Sequence, residues 1–172
     1  MPEFPEDSLE MTGTVWTARL MAGLWCLFWI TRIDSRKTEL KSIPLRTLWT
    51  AAGVALAVHS AWAFFVIHRG SQSEAWKHTA RRTQEVTGWN WGGGIVINEV
   101  LVVWWLLDAG LLWRTPIPQQ LQSRVYRLML HCVLAFLMFN ATVVFGPSSY
   151  RWSGLGFVGI LAALAKLRRT FN

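Results

Sequence analysis

Four apolar stretches run through this chain, Thr14 to Ile30, Leu48 to Ile67, Ile95 to Trp113 and Leu128 to Phe145. Each carries one conspicuous polar residue at about the same depth: Arg19, His59, Glu99 and Asn140. Stretches of this length satisfy the reach of a helix across hydrocarbon, which needs ~20 residues. A charge inside hydrocarbon is costly, so such residues face one another or a cavity rather than lipid. The pattern therefore predicts an all-α, polytopic transmembrane bundle of four to five spanning helices with a polar layer between them.

Composition agrees with that class. Of 172 residues, 52% are hydrophobic and 16% charged, and the mean hydropathy is +0.28. A soluble domain of this length is usually less apolar and more charged. Twelve residues are Trp. Trp16, Trp49, Trp89, Trp91, Trp113 and Trp152 fall near the ends of apolar stretches, where an indole is apolar on its face and wet at its N–H. Trp25, Trp29, Trp62, Trp104 and Trp105 lie deeper and read as packing residues. The net charge of +7 would raise nucleic acid in a soluble chain. Here the Lys and Arg residues flank apolar segments, so the expected partner is the lipid bilayer, and no nucleic acid is expected.

The expected organisation is a polar leader over residues 1–13, a helical domain over 14–167 and a basic tail over 168–172. The helices are expected at about 14–31, 47–67, 95–113 and 123–145, with a short apolar segment at 153–167. The acidic leader, MPEFPEDSLE, is the opposite of a basic signal n-region, so the first apolar stretch is read as a retained helix. Charge sets the orientation. With the 31–47 loop cytoplasmic, eleven Lys and Arg lie inside and five outside, which predicts the N-terminus outside and the C-terminus in the cytoplasm of a bacterial inner membrane. That orientation makes the 153–167 segment a fifth crossing. A helix lying flat on the outer face is the alternative.

Between the second and third stretches, residues 68–94 read as a polar outer helix. Ser73 is the expected cap and Gly88 the expected stop. Trp76, Ala80, Thr83 and Val86 or Thr87 recur on one face. Gly92, Gly93 and Gly94 read as a flexible entry to the next helix. On the second stretch, Ala51 with Ala55 and Gly53 with Ala57 form small-residue pairs that allow close helix approach.

Several motifs fail on context. Gly154 to Gly159 fits GxGxxG but lies in an apolar segment without a preceding strand. Asn140-Ala-Thr142 is a glycosylation sequon inside an apolar stretch. No HExxH, nucleophile elbow or phosphate loop occurs. Cys26 and Cys132 form no CxxC and read as small packing residues.

Two readings of the polar residues stay open. In the first, Arg19, His59, Glu99 and Asn140 form a mid-membrane layer around an Arg19–Glu99 ion pair. It belongs to a non-enzymatic accessory, binding or transport module, alone or in a homo- or hetero-oligomer. In the second, outer-side His59, His68, His78 and Glu99 hold haem or a metal in a redox protein. Against haem, His59 and His68 are nine apart, which at 100° per residue puts them on opposite sides of one helix. Asp108 and His131, near the inner face, form a further polar pair read as interfacial.

Overall fold

The computed structural model describes residues 9–34 and 42–141, together with Gly156 and Gly159. The described residues form an all-helical fold. Helix α1 spans Leu9–Asp34. Helix α2 spans Ile43–Trp62 and continues without a break into a π-helical segment, Ala63–Ile67. Helix α3 spans Gln72–Thr87, α4 Gly94–Leu112, α5 Gln119–Gln122 and α6 Arg124–Phe139. The expected fifth apolar segment and the basic tail lie outside the described residues, apart from the two glycines.

Local chemistry explains where the helices begin and end. Helix α1 starts at Leu9, so the last residues of the expected leader are helical. Pro44 occupies the first turn of α2, where its missing N–H removes no bond. The cap of α3 is Ser71, not Ser73: its hydroxyl accepts from the Glu74 N–H at 3.3 Å. Gly88 ends α3 in the left-handed region, with φ 78°, a conformation that costs a glycine little.

Helices α1 and α2 pack as neighbours, and α2 packs on α4. Gly53 is the point of closest approach between α2 and α4: a Cβ there would lie 3.1 Å from Cδ1 of the Trp105 indole. Of the small residues expected to allow close approach, Gly53 is thus on the α4-facing side and Ala55 is buried, while Ala51 and Ala57 are half-buried. Gly53→Val is expected to destabilise the bundle by about 1–3 kcal/mol through overpacking. Gly110→Ala, which meets nothing within 4 Å, should be neutral or gain up to ~1 kcal/mol of helix propensity. Unfolding midpoints in detergent decide between them, and equal midpoints would contradict the packing assignment.

Packing around α3 also revises the glycine run. Ala75 and Ala80 are buried, while Trp76 is half-exposed. A Cβ on Gly92 would sit 2.6 Å from the Trp76 carbonyl oxygen, and one on Gly94 would sit 3.2 Å from Thr79. The run lets the chain turn tightly against α3 before entering α4, so close approach is the reason for it. Trp89 and Trp91 stack beside it with centroids 5.8 Å apart.

The core is aromatic and concentrated where the C-terminal half of α1 meets the N-terminal half of α2. Phe28, Trp49 and Trp105 are almost fully buried and meet in series, with centroids 4.9 Å and 4.8 Å apart. Leu130 and Leu134 bring α6 onto the same cluster. Two Trp expectations are corrected here. Trp49 is buried in protein rather than set at an interface. Trp62, expected to be deep, caps the outer end of the α1–α2 pair, with its N–H donating to the Glu10 carbonyl at 3.1 Å.

Among the described residues, two helices are long and apolar enough to cross a membrane by length and composition, Ile43–Ile67 and Gly94–Leu112.

Candidate functional site

The π segment decides the geometry of the outer end. His68 N–H bonds the Ala63 carbonyl at 3.0 Å, five residues back. Gly70 N–H reaches the Phe64 carbonyl at 2.9 Å, and Arg69 and Gly70 then take positive φ to end the helix. An i→i+5 helix turns less per residue than an α-helix, roughly 80° against 100°. Over five residues the difference swings His68 back by roughly 100°. His59 and His68, expected on opposite sides, therefore line one cavity.

That cavity has a volume of about 480 Å³ and lies between the π-terminated end of α2, α4 and α6, with Met21 of α1 at its edge. Most of its wall is apolar, including Leu56, Phe64, Val102, Trp105, Leu134 and Leu137. Its polar groups come from His59, Ser60, His68, Gln72, Asn98 and Glu99. Four of these gather where α2 ends, α3 begins and α4 begins, so the polar patch forms one end of an otherwise apolar space.

Each polar group has a definite role. Glu99 is five residues into α4, roughly 8 Å from its start. Its Oε1 accepts from the Gln72 amide at 2.9 Å. Its carboxylate thus lies near the N-terminal end of α4 and meets Gln72 rather than Arg19. His59 Nδ1 is 3.0 Å from the Thr17 hydroxyl oxygen. That hydroxyl back-bonds to the Gly13 carbonyl at 2.8 Å and the Thr14 carbonyl at 3.0 Å. Its single hydrogen is used there, so Nδ1 carries the imidazole proton and Nε2 is left as the acceptor.

The expected four-residue layer is only half assembled. His59 and Glu99 share the cavity. Arg19 sits on the exposed face of α1 with its guanidinium 5.0 Å from the Trp16 ring centroid. Asn140 returns its amide to the Phe136 carbonyl at 2.8 Å, the local back-bond of a helix end. The expected metal quartet does not assemble either. His68 and His78 meet with ring centroids 5.2 Å apart, while His59 is tied to Thr17 and Glu99 to Gln72. Among the described residues no group of three or more His, Cys, Asp or Glu side chains is placed to hold a metal ion.

The His68–His78 contact links the π-terminated end of α2 to α3. Burial holds the His68 imidazole below its ordinary 6.5, opposed by Glu74. Burial also lowers His78, helped by the charges of His68, Arg81 and Arg82 and opposed by Glu85. Both groups prefer to stay neutral when docked. Above the ordinary value, docking is at full strength. As pH falls below it, an undocked α3 binds protons that the docked form resists, and docking weakens. Hydrogen-exchange protection of α3 amides, corrected for intrinsic rate, should fall from pH about 7 to about 5, with α4 protection unchanged. His78→Gln should flatten that profile. A pH-independent α3 in the unsubstituted protein would contradict the coupling.

A second polar cluster forms around Asp108 near the C-terminal end of α4, with partners that sequence reasoning did not link to it. Asp108 of α4 is 5% exposed. Its Oδ2 accepts from Trp49 Nε1 at 2.7 Å and its Oδ1 from the Tyr126 hydroxyl at 2.8 Å. Tyr126 in turn accepts from Trp104 Nε1 at 3.0 Å. His131 does not bond Asp108. It packs on Trp29 and Trp49, with centroids 4.8 Å and 5.2 Å away. Trp49 therefore stands between the two, presenting its N–H to one and its ring to the other. The cluster is satisfied by its own members and joins three helices, which marks it as a structural brace.

Comparison with known protein families, with characterised proteins and with solved structures finds no significant match.

Proposed function

We propose that this chain is a multi-pass membrane protein whose bundle holds a binding site for an amphiphile, and that it acts as a non-enzymatic binding module. The observation that carries the reading is the cavity: about 480 Å³ of mainly apolar space with polar groups gathered at one end. Its size is that of small-molecule sites, which pair an apolar wall with a few convergent polar groups.

The membrane setting is supported by the outer faces of the helices. Helix α4 buries Leu101, Trp105, Ala109 and Leu112, yet its opposite face, Val96, Val100, Val103 and Leu107, is apolar and exposed. A helix apolar on every side belongs in a protein core or a bilayer. The exposed face of α6, with Val125, Leu128, Met129 and Phe136, repeats the pattern. Helix α1, with Arg19, Arg32 and Asp34, joins α2, α4 and α6 as a span in this reading. The distribution of Lys and Arg supports an orientation with the polar cavity end toward the outside and the Asp108 brace toward the cytoplasm.

Photolabelling tests the site. The protein in lipid nanodiscs is exposed to an alkyl diazirine probe and mapped by mass spectrometry. Label is expected on Val102 and Leu137, which line the cavity, as well as on the lipid-facing Val100 and Leu107. Val102→Phe should abolish labelling at Leu137 and leave Leu107 unchanged. Label confined to the lipid-facing residues would contradict a ligand-accessible cavity.

A further inference from the structure

The polar end of the cavity has a chemical sign. Among the described residues that line it, Glu99 is the one acid and there is no Lys or Arg, in a chain that has 17 of them. The groups that remain for a ligand are mostly acceptors. The Gln72 amide binds Glu99 Oε1, which leaves the Glu99 Oε2 and the Gln72 carbonyl oxygen. His59 has given its N–H to Thr17 and retains an acceptor nitrogen. Ser60 and Asn98 can serve either role. Burial keeps His68 neutral at neutral pH, so it adds no opposing charge.

We infer that the cavity takes a single-chain amphiphile with a primary ammonium head, whose N–H groups are received by Glu99 and Gln72 while its alkyl chain lies along Val102, Leu134 and Leu137. The inference rests on the binding-module reading above and specifies its ligand. Charge complementarity selects the head. An ammonium brings N–H donors and one positive charge to the one acid among the described lining residues, and hydrogen bonds with an ionised partner are the stronger ones. A carboxylate or phosphate head would meet Glu99 with like charge. A quaternary ammonium would bring the charge but no donors. Size favours one chain, since a volume of about 480 Å³ holds a single alkyl chain rather than the two of a diacyl lipid. The head could belong to a free alkylamine or to a single-chain ethanolamine lipid, whose phosphate would then have to lie outside the mouth.

The full chain in phosphatidylcholine nanodiscs tests this with one alkyl chain and several heads. Binding of dodecylamine, dodecyltrimethylammonium, dodecanol, dodecanoate and lysophosphatidylethanolamine is measured by native mass spectrometry, with empty nanodiscs and the Val102→Phe protein as backgrounds. Dodecylamine should bind one per chain, at least about tenfold more tightly than dodecanol or the quaternary compound. Glu99→Gln should bring it to the dodecanol level, and Glu99→Asp should recover part of the difference. Lysophosphatidylethanolamine binding as tightly as dodecylamine, with the same dependence on Glu99, would support the inference and assign the head to a lipid. Weak binding of it would support the inference and assign the head to a free amine. If dodecanol or dodecanoate binds as well as dodecylamine and is lost in Val102→Phe, the ammonium inference is overturned and the cavity reading stands. If no probe binds above the backgrounds, both are overturned.

Discussion

Trp49→Ala is expected to be the most damaging single truncation in the bundle, costing about 3 kcal/mol. Trp49 is 2% exposed and touches three helices: Phe28 on α1, Trp105 on α4 and His131 on α6. Its removal leaves a void no neighbour can fill, because the facing groups are rigid rings. In a bilayer the apolar transfer part of the penalty falls away, since lipid is as apolar as the core, and lost packing remains. The truncation also takes one of the two donors from Asp108. Trp49→Phe keeps much of the ring volume but not the N–H and should cost about half as much. Denaturant titration in mixed micelles measures both. A Trp49→Ala protein as stable as the parent would show that the inner cluster is not the core of the bundle.

Asp108→Ala is expected to cost about 2 kcal/mol, because it orphans the Trp49 N–H and the Tyr126 hydroxyl together. Hydrogen bonds measured within membrane bundles are often worth well under this, averaging ~0.6 kcal/mol, which keeps the figure below that for Trp49. Asp108→Asn should be milder. An amide still accepts from Trp49, and the Tyr126 hydroxyl can turn from donor to acceptor, whereas an indole N–H can only donate. The Trp49→Ala, Asp108→Ala double variant should lose less than the sum of the two, by ~0.5 kcal/mol or more, because the pair shares one bond. Strict additivity would mean that Trp49 and Asp108 do not act together, against the 2.7 Å contact between them.

Much of this architecture was legible in the residues, and the exceptions have physical causes. Apolar runs and Gly88 marked helix positions to within a few residues. The small face of α2 was readable from Gly53, since close approach needs a missing side chain whichever partner supplies it. Ser71 and Ser73 both precede Glu74, and only the backbone geometry decides which hydroxyl reaches its N–H. The polar layer was inferred from depth alone, and depth says nothing about direction around a helix. Arg19 shares a depth with His59 but projects from the exposed face of α1.

The π segment was invisible for a different reason. Nothing in Ala63-Phe-Phe-Val-Ile67 differs from an ordinary apolar helix turn, and its wide turn is supported by contacts made elsewhere. It nonetheless brings His68 round to the side of His59 and so forms the polar end of the cavity. Asp108 was read as interfacial because one acid near a helix end normally faces water. Its partners, Trp49 and Tyr126, come from helices distant in sequence, and no spacing rule links them.

The claim that the bundle is a membrane-embedded binding module is tested most directly by native mass spectrometry of the full chain released from its own membrane in mild detergent. An adduct of one amphiphile per chain is expected, retained through mild activation and lost in the Val102→Phe protein. A chain that flies without adduct, or an adduct that persists unchanged when the cavity is filled, would contradict it.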